Sequence, residues 1–248
     1  GNALLNTGHT ISFVLYRDNG KLLGMNSFFP LILEGIEATA RKHGYSLNIV
    51  NMDRCTLTHD IQYIKENGSA GFVIFATELQ KEQLQEFFSL QIPFVIFDNY
   101  FLDQEVMNVK VNNEQGTFLA VKHLHEYGHK RIGYLCSDVK INSFLERQKC
   151  ALSALHYFEC EEPEKFFYTI GYASENAENG MDKLLDSVSL HDLPTAFLAD
   201  NDLVAIGAMQ SIKKHGFCIP DDFSIIGYDD RPICSLTDPK LTTIQLPR

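Results

Sequence analysis

The 248-residue chain has no apolar run approaching the roughly 18 residues that a membrane span needs, and no signal-peptide pattern opens it. A cytoplasmic protein that does not engage membranes is therefore the expectation. Its first residue is Gly rather than Met, as in a fragment or a processed chain. Positive charge is scarce: 21 Lys and Arg stand against 32 Asp and Glu, a formal net charge of −11. Affinity for phosphate backbones needs concentrated cations, so this chain is not expected to grip nucleic acid by itself. Cys55, Cys136, Cys150, Cys160, Cys218 and Cys234 are scattered, with no CxxC pair and no His placed to complete a zinc set. Reduced, mostly buried thiols are expected, with no metal and no cofactor. GxSxG, GxGxxG and P-loop patterns are missing as well. Nine His are present, but in HLHEYGH His123 and His125 lie two apart, on different helix faces, and read as surface or capping residues. Nothing here points to an enzyme.

Hydrophobic residues make up 45% of the chain and charged ones 21%, the balance of an ordinary globular protein with a generous core. Three segments share one rhythm: ATARKHGYSLNIV, AVKHLHEYGHKRIGYL and AMQSIKKHGFCIPDDFSIIGY. In each, a helical pattern with basic residues in its last turn stops at a Gly, and a short apolar run follows. Gly44, Gly128 and Gly216 fit the position after a helix where the backbone turns left-handed. The apolar runs lack clean alternation, as expected of parallel strands covered on both faces. The rhythm predicts strands near 11–16, 46–51, 71–76, 93–98, 131–136, 166–172, 195–200 and 223–228. Helices are predicted over 30–43, 58–67, 80–91, 114–127, 143–158, 176–188 and 202–215. Alternation of the two implies an α/β fold with right-handed crossovers. NYFLDQEVMNVKVNN, between the fourth and fifth units, has no helical pattern and reads as a crossing. Two doubly wound lobes fit this better than one eight-stranded sheet.

In open parallel sheets, ligands bind beyond the carboxyl ends of the strands. FVIFDN ends at Asp98 and Asn99, AFLADND at Asp200, Asn201 and Asp202, and SIIGYDD at Asp229 and Asp230. RIGYLC leads into SDVKINSFLER, where Asn142, Ser143 and Arg147 open a helix. Each polar residue also has a plain structural role open to it. Asn201 or Asp202 is placed to cap a helix, Asp98 to start an Asx turn, Asp229 and Asp230 to solvate a loop, and Arg147 to pair with Glu146 on the surface. Together they form an acceptor-rich set with one bidentate donor, suited to neighbouring hydroxyls on a sugar or related polyol. MNSFFP, before the first helix, offers Phe28 and Phe29 either to an apolar ring face or as core staples at a helix entry.

NNEQGTFLAVKHLHEYGHKRIGYL, the Arg of FLERQKCALSAL, PTAFLADNDLVAIGAMQSIKKHGFCIPDDFSIIGYDD and DPKLTTIQ closely resemble the effector-binding core of the lactose- and galactose-repressor family. The resemblance runs from about Thr7 to Leu246, with PTA, ND, AIGA, IPDD, GYDD and LTTI in the family's order and spacing. It implies a type I periplasmic-binding-protein-like fold, two lobes flanking a cleft in which a small effector binds, commonly a sugar or a purine. The implied lobes are residues 8–111 plus 244–248, and residues 112–243, with crossovers near Val111–Asn113 and Thr243–Leu246. Carried over by motif, Arg147, Asn201 and Asp229 become effector contacts of the second lobe, with Ser143 beside them. Asp98 and the Phe28–Phe29 region become those of the first. Asp230 is expected to support the loop, because successive residues of an extended chain face opposite ways. The resemblance further implies a homodimer, a repressor role, and operator DNA bound through an N-terminal helix-turn-helix headpiece outside this chain. Asn112 departs from the family's usual Asp, Cys150 from a frequent Gly, and YRDNGKLLGMN is longer than usual. The chain also stops at Arg248, where the family pattern returns to the first lobe for a final strand and helix. A free-standing solute-binding protein of a transport or chemosensing system, which shares the fold, is the alternative.

Overall fold

The structure is a computed structural model, and it describes residues 9–18 and 29–246. The chain divides into two compact units, Gly1–Val111 and Asn112–Arg248.

The first unit runs β1 (Thr10–Tyr16), α1 (Phe29–Lys42), β2 (Ser46–Met52), α2 (Leu57–Asn67), β3 (Gly71–Phe75), α3 (Lys81–Phe88), β4 (Phe94–Phe97) and β5 (Met107–Val109). All its strand pairs are parallel, in the order β2-β1-β3-β4-β5. β1 is an interior strand, and Phe13, Val14, Leu15 and Tyr16 are all buried. Val14 and Tyr16 pack with residues of α2 and α3, while Phe13 and Leu15 pack with α1. Alternate side chains of one strand thus feed two layers, which explains why β1 reads as continuously apolar.

The second unit runs α4 (Asn113–Glu126), β6 (Ile132–Cys136), α5 (Asn142–Tyr157), β7 (Phe167–Thr169), α6 (Ser174–Ser187), β8 (Ala196–Ala199), α7 (Asp202–Lys214), β9 (Ser224–Asp229) and β10 (Thr242–Gln245). Its parallel sheet has the order β7-β6-β8-β9-β10. Counted within each unit, both sheets follow the order 2-1-3-4-5.

The three helix stops form at the predicted glycines. Gly44, Gly128 and Gly216 have φ of 79°, 88° and 83°. After each, the next amide reaches back five residues: Tyr45 to the Ala40 carbonyl, His129 to Leu124 and Phe217 to Ile212. This six-to-one bond closes a helix end whose last carbonyls would otherwise lack donors.

Three differences from the sequence reading have clear causes. β7 covers three residues, because a 3-10 turn over Pro163–Phe166 precedes it and Gly171, at φ 118°, turns the chain away. β5 forms inside the stretch read as a plain crossing, where Met107, Asn108 and Val109 pair with Val95, Ile96 and Phe97 of β4. Residues 244–248 were assigned to the first lobe, yet Ile244 and Gln245 belong to the second unit's sheet. β10 pairs with β9 from Thr242↔Ile226 to Gln245↔Asp229, and Ile244 packs on the core formed with α4. Hydrogen bonding and apolar burial both hold this strand where it is. The thiols are also more varied than expected: Cys136, Cys160 and Cys234 are buried, but Cys55 and Cys218 are exposed.

Candidate functional site

In the second unit the strand order reverses between β6 and β8, so connections leave on opposite sides there and a crevice opens beyond their carboxyl ends. Asp200 follows β8 at this point and is completely buried. Its carboxylate accepts from the Tyr134 hydroxyl at 2.7 Å, the Ser137 amide at 2.6 Å and Gln148 Nε2 at 3.1 Å. Burial pushes its pKa up to about 6, against the downward pull of those donors and of Arg147. Asp200 thus pins together the ends of β6 and β8 and the middle of α5.

Arg147 projects from the second turn of α5 into this frame and is 4% exposed. Nε donates to Asn113 Oδ1 at 2.9 Å and Nη1 to the Asp200 carbonyl at 2.5 Å. The guanidinium carbon lies 3.7 Å from the centroid of the Tyr228 ring and 5.6 Å from that of Phe144. Asn113 is in turn held by a 2.7 Å bond to Glu146. A buried guanidinium is costly unless its donors are matched, and here Nε and Nη1 both donate while the group rests over the Tyr228 ring. Nη2 alone has a loose contact, 3.4 Å to Asp229 Oδ1. Ser143 lies one turn earlier on the same face of α5 and is also buried.

Asp229 ends β9 and has φ 110°, while Asp230 has φ 54°. Both lie in the left-handed region, which carries strain for residues with a Cβ. The expectation that the two carboxylates diverge along an extended chain therefore needs correcting: the chain is no longer extended there. They do have different partners. Asp229 faces Arg147 and, at 3.8 Å, Arg231, and its pKa is raised by burial despite both cations. Asp230 accepts from Gln245 at 2.8 Å, and its amide donates to Thr243 Oγ1 at 3.3 Å.

Of the pair proposed to cap α7, Asn201 does so: its side chain accepts from the Val204 amide at 2.9 Å. Asp202 is buried and accepts from the Arg231 amide at 2.8 Å and from the Thr243 hydroxyl. These bonds tie α7 to the segment after β9 and to β10.

In the first unit, Asp98 follows β4 at φ 63° and accepts from the Thr77 hydroxyl at 2.6 Å. Asn99 is buried and donates to the carbonyls of Ala76 and Leu79, at 2.7 and 2.9 Å. Phe29, at the start of α1, packs on Phe13 and Phe75 with ring centroids 5.9 and 6.0 Å apart. It staples α1 to the sheet, one of the two roles its position suggested. Phe28 lies outside the described residues.

The second unit thus brings Ser143, Arg147, Asn201 and Asp229 to one sheet edge, while Asp98 and Phe29 belong to the first. Sequence reasoning missed Asn113, Gln148 and Tyr228. Asn113 and Gln148 are unremarkable helix residues until the fold sets them against Arg147 and Asp200. Tyr228 stood inside the GYDD motif, where the carboxylates drew the attention.

A family described as periplasmic binding protein-like domain matches residues 121–248, more than half of the chain. The chain belongs to that family. It is 30% identical over 221 residues to the HTH-type transcriptional repressor PurR of Mannheimia succiniciproducens, an alignment covering 88% of this chain and 65% of that protein. The chain therefore spans slightly less than two thirds of that relative's length. Among solved structures, a LacI-family regulatory protein from Chloroflexus aggregans superposes with a TM-score of 0.85 at 24% identity, over 96% of this chain and 85% of that one. The CelR–cellobiose complex superposes with a TM-score of 0.84 at 21% identity, over 96% and 73% of the two chains. The fold is accordingly the type I periplasmic-binding-protein-like one, two five-stranded parallel sheets flanked by helices.

Proposed function

We propose that this chain is the effector-sensing part of a cytoplasmic DNA-binding transcriptional repressor, and that its effector is a sugar or related polyol. The observation that carries this is the state of Arg147. Its fork is held by Asn113, the Asp200 carbonyl and the Tyr228 ring, yet Nη2 and Asp229 meet only at 3.4 Å. A donor and an acceptor fixed side by side but weakly joined suit two adjacent hydroxyls, one accepting from Nη2 and one donating to the carboxylate. Supporting this, the structural neighbour CelR is a cellobiose complex, and the curated relative PurR is a repressor. In this reading Ser143 and Asn201 add contacts from the second unit. Asp98 adds one from the first, so that a bound ligand bridges the two. Closure of the units then passes to a helix-turn-helix headpiece outside this chain, and the repressor acts as a homodimer.

Calorimetry against a panel containing cellobiose, ribose, glucose and galactose tests the effector class. Saturable binding of at least one sugar, lost in Arg147→Ala, is expected. Binding confined to purines or other nonsugars in the same assay refutes a sugar effector. For the regulator role, the full gene product is tested for sequence-selective binding to DNA upstream of its own gene. Sugar-responsive binding is expected, and none at any sugar concentration favours the solute-binding alternative.

A further inference from the structure

We infer that Gly116, which contacts no ligand group, is the positioning residue that sets the height of Arg147 by seating Tyr228. This rests on the assignment of Arg147 to the effector site. Gly116 lies in the first turn of α4, on the face turned to the sheet, and is buried. A Cβ added there would overlap the Tyr228 hydroxyl and lie 2.9 Å from Tyr228 Cζ and 3.1 Å from Ile244 Cγ2. The Tyr228 side chain therefore ends against bare backbone. Its hydroxyl is fully buried and has no hydrogen-bond partner among the described residues, so no polar contact fixes the ring. Close packing does so instead: α4 stops the ring at its far end, and the guanidinium of Arg147 rests on its face at 3.7 Å.

The consequence is a short mechanical chain. α4 supplies Asn113, which takes Nε of Arg147, and three residues later supplies Gly116, which sets the ring beneath it. One helical turn thus fixes the arginine both in its plane and normal to it. Any added atom at position 116 must tilt the ring or lift the helix, and either movement shifts Nη2 relative to Asp229. α4 begins directly after Asn112, the first residue of the second unit and the cap of this helix through its bond from the Gln115 amide. Effector contact at Arg147 is therefore coupled through Tyr228 to the helix that opens the unit.

The test has a readout that needs no effector. A proton on a guanidinium resting over a ring face is shifted upfield, so Arg147 Nε–H, assigned by its loss in Arg147→Lys, reports the stack directly by NMR. Gly116→Ala is expected to lose this shift, and Gly116→Ala/Tyr228→Phe, which removes the overlapped hydroxyl but leaves Cζ 2.9 Å from the new Cβ, to recover it in part. Affinity for cellobiose or ribose, whichever the parent binds, should fall about tenfold in the single variant and return in part in the double. A single variant that retains the parent shift overturns the inference. So does a double variant that recovers none of it, whether through a displaced ring or through misfolding seen in a thermal melt. A parent that binds neither sugar refutes those sugars as effectors, while the NMR comparison still decides the role of Gly116.

Discussion

At the scale of single residues, the two sides of the Arg147–Asp229 contact should differ in how they fail. Arg147 is buried among Asn113, Asp200 and Tyr228, so Arg147→Ala leaves their acceptors unmatched and opens a space in the sheet edge. Loss of one member of a buried charged network typically costs about 3–5 kcal/mol, so a lower melting temperature is expected together with lost sugar binding. Asp229 is more accessible, with 23% of its side chain exposed, and its loss should spare the fold. Asp229→Asn keeps the size and converts one acceptor to a donor. A charged hydrogen bond is worth roughly 1.5–3 kcal/mol, so affinity should fall about 10- to 150-fold by calorimetry. Asp230→Asn, whose carboxylate braces Gln245, should bind like the parent. A reversed order between the two variants would reassign the pair. Because burial raises the pKa of Asp229, its charge is lost on acidification earlier than that of a free carboxylate. Parent affinity is expected to decline as pH falls toward the acid range from above about 3.9, whereas Asp229→Asn stays flatter.

At the scale of elements, the opposite edge of the second sheet carries a polar clamp. His129, after α4, meets the Thr195 hydroxyl at 2.8 Å and the Ser224 hydroxyl at 3.1 Å, joining the starts of β8 and β9. Burial lowers its pKa, so the folded state favours the neutral ring. The sign follows directly: the stabilisation is present above the unfolded value of about 6.5 and is lost as pH falls below it toward and through the folded value. Thermal melts from pH 8 to pH 5 should therefore fall more steeply for the parent than for His129→Gln, and equal slopes would exclude the clamp. The same elements show what the sequence could convey. Local signals were legible: basic last turns and Gly44, Gly128 and Gly216 marked three helix ends at their places. The boundary drawn after Thr243 cuts β10 in two, and only the register of the strand against Ile226–Asp229 keeps Ile244 and Gln245 with Thr242 and Thr243. The three residues of β5 are exposed and carry no burial pattern at all. At the site, motif residues were legible but their tethers were not, since Asn113 and Arg147 are 34 positions apart and Tyr134 and Asp200 are 66.

At the scale of the whole molecule, a formal charge of −11 sets a firm expectation for the isolated chain. In a mobility-shift assay, residues 1–248 should show no sequence-selective binding to DNA, because few cations oppose the phosphates. Nanomolar selective binding would place the DNA-reading surface inside these units and overturn the headpiece proposal. If a sugar bridges the units, it stabilises whichever arrangement offers contacts from both, and the radius of gyration from solution scattering should decrease at saturation. The free thiols offer a route to the same motion by another physics. Cys55 and Cys218 are exposed and lie in different units, whereas Cys136, Cys160 and Cys234 are buried. With the half-buried Cys150 replaced by Ser, maleimide donor and acceptor dyes would settle on one site in each unit. Energy transfer between them would then read the separation of the two units in single molecules, from the native thiols with no cysteine engineered in.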